Sequence, residues 1–309
     1  GWGPDTFGTY AASEYIVNVF GFLIIAGVIL DKMGVRFTGV LSASMMFIGA
    51  LIKFIGITDW FAQTALADWL NSWWVTLPAS AKMACFGFML FGCGCEMAGT
   101  TVSKAIAKWF KGKEMALAMG IEMAIARVGV FAIFSISPII AGKLGTIAAP
   151  VGICTCLLLI GLINFLVFSV MDRKFDAQLI AAGEKTAESN PEDEFKIADL
   201  GKILSSRSFW VVALLCVLYY SAIFPFQNYA GLMLQNTLKI SEEQAGLIFF
   251  VFPLGAAAIT PFLGNYLDRK GKGASMLIYG ALLMIICHSV FAYVLPVFPS
   301  IILAYAAII

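Results

Sequence analysis

The sequence predicts an all-α polytopic membrane protein, and three observations support this fold class. The 309 residues are 61% hydrophobic and only 13% charged, and their mean hydropathy is +0.90. A bilayer crossing takes about 20 apolar residues, and the chain contains nine apolar runs that approach or reach this length. The runs cover residues 14–30, 37–56, 82–103, 115–142, 147–171, 208–232, 244–267, 274–295 and 297–309. In addition, 15 of the 20 Lys and Arg residues fall into alternate loops, two crossings apart.

The basic loops predict which ends of the crossings face the cytoplasm. They comprise residues 32–36, 104–113, 173–207 and 269–272. Because cytoplasmic loops collect Lys and Arg, we expect these four loops on the cytoplasmic side and the loop 58–80 on the outer side. That outer loop holds four of the seven Trp residues, which favours contact with the membrane interface.

The composition also limits the chemistry. The seven Cys residues all lie in apolar runs and lack the spacing of zinc or redox sites, so we expect small buried hydrophobes. We predict no cofactor, no metal and no nucleic-acid partner, and a net charge of +1 gives no reason to expect one. A membrane enzyme is disfavoured because no nucleophile–base pair can be assigned.

The first run ends in a motif that recurs at the end of the seventh run. Each copy has Gly, then Asp four positions later, then a basic residue, then Gly three positions after the Asp. The copies lie 237 positions apart on the same predicted side, which predicts two halves that repeat in parallel. Glycine permits a tight turn and close helix approach, and the Asp can face a helix N-terminus, so we expect tight turns between helices at both copies. Their residues are Gly27, Asp31, Lys32, Gly34 and Arg36, and then Gly264, Asp268, Arg269, Gly271 and Lys272.

This doubled loop resembles the signature of the major facilitator superfamily, and the resemblance implies that both copies are gating loops. The resemblance implies a fold of two six-helix bundles in which the nine runs correspond to family helices 2 to 10. Helices 1, 11 and 12 are then expected outside this chain. The expected domains are an N-terminal bundle at 1–171, a cytoplasmic linker with an amphipathic helix at 172–207, and an incomplete C-terminal bundle at 208–309.

Glu96 and Arg127 are the candidate binding residues. A charge at the bilayer centre costs about 2.5–3.5 kcal/mol on insertion scales and needs a partner or a watery cavity. At about 1.5 Å per residue, Glu96 lies roughly 12 Å from Lys104 and Arg127 roughly 18 Å from Met115, so both are near mid-membrane. They are either the two ends of a trap for a zwitterion or a structural salt bridge.

Further polar residues lie inside the runs, and most of them allow two interpretations. Pro225 is predicted to interrupt its helix beside four polar side chains that form either a substrate wall or part of an ordinary kinked helix. These are Tyr219, Tyr220, Gln227 and Asn228. His288 is either a hydrogen-bonded packing residue or a proton sensor. Lys53 is predicted to extend its ammonium to the outer interface.

Within the superfamily, the chain resembles the dipeptide-transporter subgroup of major facilitator superfamily domain-containing protein 1. The residues that carry this resemblance are Phe91-Gly92-x-Gly94-x-Glu96, Trp109 to Glu114, Ala126-Arg127-x-Gly129 and Tyr219-Tyr220-x-Ala222-x-Phe224-Pro225-Phe226. It implies that Glu96 binds the ammonium of a dipeptide, that Arg127 binds its carboxylate, and that transport proceeds by alternating access. Glu122 is an additional acid relative to the subgroup, and it is either the resting partner of Arg127 or a candidate proton-coupling site together with His288.

Two other functions remain open from the sequence. One is a proton-coupled carrier of a small organic anion, with Arg127 binding a carboxylate and Glu96 or Glu122 carrying the proton. The other is a non-transporting membrane sensor or scaffold. The short loops favour a bacterial inner (plasma) membrane, the lipid bilayer is the expected surrounding, and an accessory subunit stays open.

Overall fold

The computed structural model describes residues 2–110, 115–182, 197–270 and 272–308. Side chains are described at these positions except 115–117, 134, 197–200, 260–262, 264–265 and 267–269. Within the described ranges the regular structure is helical, without strands, which confirms the predicted all-α class. Among the described residues, seven helical segments are long and apolar enough to cross a membrane.

The first two predicted runs form one continuous helical stretch that reverses direction at Gly34. Helix α1 (Pro4–Ser13) leads through a π-helical segment (Asn18–Phe22) into α2 (Leu23–Gly56). Gly34 has φ 76° and ψ 172°, a left-handed conformation that glycine adopts readily. The predicted tight turn is therefore confirmed at this glycine, and the first crossing starts at Pro4 rather than at residue 14.

The outer loop between the second and third crossings is folded. It contains α3 (Asp59–Ala62) and α4 (Ala65–Asn71), whose N-terminal amides are capped by the hydroxyls of Thr58 and Thr64. Lys82, at the start of the next helix, donates from Nζ to the carbonyl oxygens of Leu70 and Trp73. A buried ammonium thus closes the C-terminal end of α4 against the following helix.

Three long helices follow, namely α5 (Ala79–Trp109), α6 (Met115–Leu144) and α7 (Ala148–Ala181). The second half of α2 packs against α5 through glycines: a Cβ at Gly87 would lie 2.5 Å from the Gly49 carbonyl oxygen and 2.6 Å from the Lys53 amide nitrogen. Helix α7 continues ten residues past the predicted end of its run at 171. The apolar run itself ends at 171, and in the part of the helix beyond it Asp172 and Asp176 form ion pairs with neighbouring helices.

The remaining helices are α8 (Ile197–Leu204), α9 (Arg207–Leu238), α10 (Glu242–Phe249), α11 (Val251–Lys270), α12 (Gly273–Ser289) and α13 (Ile301–Ile308), with a π-helical segment at Val290–Val294 after α12. The predicted linker segment 181–194 lies almost entirely outside the described residues, and the predicted surface helix coincides with α8. Leu234, Phe249, Phe291 and Leu295 are among the buried side chains of the core formed by α9, α10, α13 and the second π-helical segment.

Two compact units can be distinguished. Unit 1 comprises Gly1–Met115 and Gly145–Asp199, and unit 2 comprises Ala116–Leu144 and Leu200–Ile309. Helix α6 thus groups with the C-terminal helices. The division into bundles at 1–171 and 208–309 stays a prediction.

Candidate functional site

Glu96 lies near the middle of α5. It is 17 residues after Ala79 and 13 before Trp109, so the helix bounds agree with the depth expected from the sequence. Its side chain is partly exposed. Among the described residues of unit 1 it forms no hydrogen bond or ion pair, which leaves its carboxylate oxygens available to a ligand.

The first helix runs parallel to α5 and in register with it. Trp2 donates from Nε1 to Ser80 Oγ at 3.1 Å, and the ring of Tyr10 stacks on Phe88 with centroids 4.6 Å apart. One helical turn further along α5, a Cβ atom added at Gly92 would overlap the Glu14 carbonyl oxygen and lie 2.8 Å from the Cγ of Glu14. Each of these three pairs is separated by 78 positions.

This register places Glu14 well inside the membrane. Gly92 lies 13 residues after the outer end of α5 at Ala79, or roughly 20 Å at a rise of about 1.5 Å per residue. The sequence alone put Glu14 at the start of an apolar run. The signal that could have corrected this is Pro4 followed by Asp5, a typical helix start.

Glu14 has charged and polar neighbours. The Tyr15 hydroxyl hydrogen-bonds to its carboxylate, and both Lys53 and Glu96 interact with it electrostatically. The Lys53 ammonium lies 4.9 Å from the centre of the Phe88 ring and 5.6 Å from that of Phe91. Lys53 is therefore engaged by α5, in contrast to the extension toward the interface that the sequence suggested.

Arg127 lies near the middle of α6, 12 residues after Met115 and 17 before Leu144. Its side chain is exposed, and Glu122 on the same helix is partly exposed. No ion pair joins these two described residues, which agrees with their spacing of five positions, because helical pairs form at three or four. The structure thus gives no support to Glu122 as the resting partner of Arg127.

Helix α9 continues through Pro225, so the predicted interruption at this residue is wrong. Transmembrane helices tolerate proline where side chains or local adjustments satisfy the freed backbone groups. At about 100° per residue, Tyr220 and Gln227 share one face, whereas Tyr219 and Asn228 lie on opposite sides. All four residues stay predicted parts of a substrate wall.

His288 bridges α12 and α9. Its Nδ1 lies 2.9 Å from the Met284 carbonyl oxygen, its Nε2 lies 3.2 Å from the Ala222 carbonyl oxygen, and its ring centre is 5.0 Å from that of Phe226. A neutral imidazole has one N–H and can donate to only one of these two carbonyl oxygens, so the packing and proton-coupling interpretations both stay predictions.

The first gating-loop motif forms two ion-pair groups at the basic end of unit 1. Asp31 pairs with Lys104 at 2.7 Å, so it faces a lysine rather than a helix N-terminus. Arg36 contacts Asp172 at 3.3 Å and Asp176 at 2.6 Å. Lys32 is exposed, and a Cβ at Gly27 would meet nothing within 4 Å, so close helix approach does not explain that glycine.

The group around Asp172 was missed in the sequence. Lys108 contacts both Asp172 and Asp176 at 2.8 Å, and Trp109 donates from Nε1 to Asp172 at 2.8 Å. The available signal was a pair of acids four positions apart, directly after an apolar run, on the side where Lys and Arg collect. The network ties α2, α5 and α7 together.

The second gating-loop motif is described only in part. Gly271 and the side chains of Asp268 and Arg269 lie outside the described residues, and Gly264 is described only by its helical backbone in α11. Lys272 is exposed and precedes α12.

The sequence is similar to known membrane proteins. The family model of the Major Facilitator Superfamily matches residues 1–309. The lysosomal dipeptide transporter MFSD1 of Danio rerio is 25% identical over 279 residues, which cover 87% of this chain and 55% of the relative. MFSD1 of Homo sapiens is 24% identical over 296 residues, covering 92% of this chain and 57% of the relative. The chain thus spans about half the length of the curated relatives it matches.

Proposed function

Because the chain belongs to the Major Facilitator Superfamily, we propose that it is part of a carrier that moves small zwitterionic peptides, chiefly dipeptides, across a membrane. The family resemblance expected from the doubled loop is confirmed. The family consists of transporters rather than enzymes, and the chain is an integral membrane protein. The dipeptide substrate is supported by the names of the relatives and by the chemistry of two side chains.

The observation that carries the proposal is the position of Glu96. Its carboxylate lies halfway along a helix long enough to span the membrane and has no counter-ion among the described residues of unit 1. A carboxylate in this position is unfavourable unless a cation or water reaches it. The α-ammonium group of a peptide is such a cation, so we assign Glu96 to the substrate's amino terminus.

Arg127 is assigned to the carboxyl terminus. A guanidinium presents a planar fork of N–H donors that matches a carboxylate with two parallel hydrogen bonds. Arg127 is exposed on a helix long enough to cross the membrane, without an ion pair among the described residues of unit 2. Because both termini are common to all dipeptides, this assignment predicts broad selectivity for the side chains of the substrate.

Transport would proceed by alternating access, as expected for carriers with repeated halves. The bacterial inner membrane stays the predicted location, based on the short loops, while the relatives are named as lysosomal. The proposal concerns the full-length protein, since this chain spans about half of those relatives.

The test is uptake of radiolabelled Ala-Ala into liposomes that contain the full-length protein. Glu96→Gln and Arg127→Ala should each abolish uptake, whereas Lys143→Ala, an exposed residue at the end of α6, should not. Blocked substrates separate the two roles. A dipeptide amide has no carboxylate for Arg127, so wild type and Arg127→Ala should bind it equally weakly. An N-acetylated dipeptide has no ammonium for Glu96, so wild type and Glu96→Gln should bind it equally weakly.

Two results would replace the proposal. Uptake of dicarboxylates with a steep pH dependence, and no uptake of dipeptides, would identify an anion carrier that uses Arg127. Dipeptide binding without flux would identify a sensor or scaffold.

A further inference from the structure

The first helix brings a second polar residue close to Glu14 and to α5. Asn18 follows Glu14 by four positions and donates from Nδ2 to the Glu14 carbonyl oxygen, the atom that a Cβ at Gly92 would meet. The π-helical segment Asn18–Phe22 contacts α5, and Glu96 follows Gly92 by four positions on that helix. Asn18, Glu14 and Glu96 therefore belong to one region inside unit 1.

The backbone of the first helix is broken close to Asn18. Phe20 has φ −81° and ψ 16°, and Gly21 has φ 96°. Breaks at membrane depth are tolerated where the backbone is buried in protein or lines a water-filled cavity, and in carriers they often mark binding sites. The break thus agrees with a site beside Asn18.

Asn18 holds an acceptor that lacks a donor. Its Nδ2 donates to the Glu14 carbonyl oxygen at 3.5 Å, but its Oδ1 is buried and has no hydrogen-bond partner in the part of the chain that the structure describes. An unpaired buried acceptor is unfavourable. A ligand with N–H donors would satisfy it.

The acidic side chains near Asn18 also favour binding of a cation. Glu14 lies near Glu96 and near the Lys53 ammonium. The Lys53 ammonium is held over the rings of Phe88 and Phe91. Two acidic side chains close together repel each other when ionised, most strongly where the dielectric constant is low, so a bound cation would stabilise them.

We infer that Glu14 and Asn18 complete, together with Glu96, the binding site for the substrate's ammonium group. An ammonium carries three N–H donors, and the site offers three acceptor groups: the two carboxylates and Asn18 Oδ1. This inference rests on the proposed function, because it extends the role given to Glu96. It adds the first helix to the residues that recognise the substrate.

The test measures binding of Ala-Ala and N-acetyl-Ala-Ala to the full-length protein in nanodiscs by calorimetry. The variants are Glu14→Gln, Asn18→Ala and Glu96→Gln, with Asp5→Asn as the control because Asp5 is an exposed acid in the first turn of α1. Glu14→Gln and Asn18→Ala should each raise the Kd of Ala-Ala roughly 10- to 100-fold, the range for lost hydrogen bonds to a charged group. Neither should change the weaker Kd of N-acetyl-Ala-Ala, and Asp5→Asn should change neither Kd.

Each other outcome has a defined meaning. If wild type binds no dipeptide, the proposed function fails. If Glu96→Gln weakens Ala-Ala binding but Glu14→Gln and Asn18→Ala do not, the proposed function stands and this inference is wrong. Equal weakening of both peptides would indicate a general structural role and also overturn it.

Two additions cover the remaining cases. If Glu14→Gln does not fold, Glu14→Asp keeps the charge at shorter reach and should give an intermediate Kd for Ala-Ala, whereas an unchanged Kd would contradict the inference. Repeating the titration with Na⁺ replaced by choline tests for a bound metal cation. If binding requires Na⁺ and acetylation has no effect, the site holds Na⁺ instead of the peptide ammonium.

Discussion

Removing one acid from the buried ion-pair network at the basic end of unit 1 should destabilise the protein by several kcal/mol, and Asp172→Asn tests this. Asp172 is fully buried, and the Lys108 side chain is only 3% exposed. The substitution removes a charge that accepts hydrogen bonds from three donors, on Arg36, Lys108 and Trp109. It leaves Asp176 to balance two cations.

The expected loss follows from burial. Breaking a buried ion pair on one side costs about 3–5 kcal/mol, because a charge is left without compensation. Asp31→Asn is the matched control, since Asp31 pairs with Lys104 one helical turn earlier on α5, where the two side chains are 29% and 38% exposed. Exposed pairs contribute about 0–1 kcal/mol, so the two variants should differ by at least 2 kcal/mol, as a rough estimate.

The assay is SDS titration of the full-length protein in bicelles, followed by tryptophan fluorescence, which yields the free energy of unfolding. The double variant Asp172→Asn/Lys108→Met removes the unbalanced ammonium as well, so it should be more stable than Asp172→Asn alone. A loss for Asp172→Asn no larger than that for Asp31→Asn would refute the argument that burial gives this network its strength.

Two further substitutions test local packing. Lys82→Met should loosen the folded outer loop, because it removes the ammonium that donates to two carbonyl oxygens and lies 4.6 Å from the centre of the Trp73 ring. We expect faster hydrogen exchange across residues 65–78 and unchanged exchange in α7. Gly87→Ala should destabilise the protein by about 1–3 kcal/mol through overpacking, because the added Cβ would meet the Gly49 backbone at 2.5 Å. Gly161→Ala is the control: its Cβ has open space, so it should be neutral in the SDS titration.

The sequence predicted the turn at Gly34 and the mid-helix position of Glu96. Gly34 has a positive φ, which glycine adopts readily. The depth of Glu14 was not predictable from hydropathy, since it depends on where α1 begins and on its register against α5. Apolar periodicity contains no information on that register.

Residues held by tertiary contacts were also missed. Hydropathy falls at Asp172 and Asp176, so the apolar run ends there, yet the helix continues to Ala181, and cations from α2 and α5 pair with both acids. Pro225 shows the opposite error. Its local preference predicts a break, but α9 extends through it.

Gly92 and Gly94, which precede Glu96, permit close contacts on two sides of α5. A Cβ at Gly92 would overlap the Glu14 carbonyl, and a Cβ at Gly94 would lie 2.7 Å from the Ser42 carbonyl oxygen. The two glycines therefore permit backbone contact with the first helix on one side and with the second half of α2 on the other. Because the contact at Gly92 holds Glu14 and the neighbouring Asn18 against α5, the motif acts through packing, one helical turn before Glu96, the residue proposed to bind the ammonium.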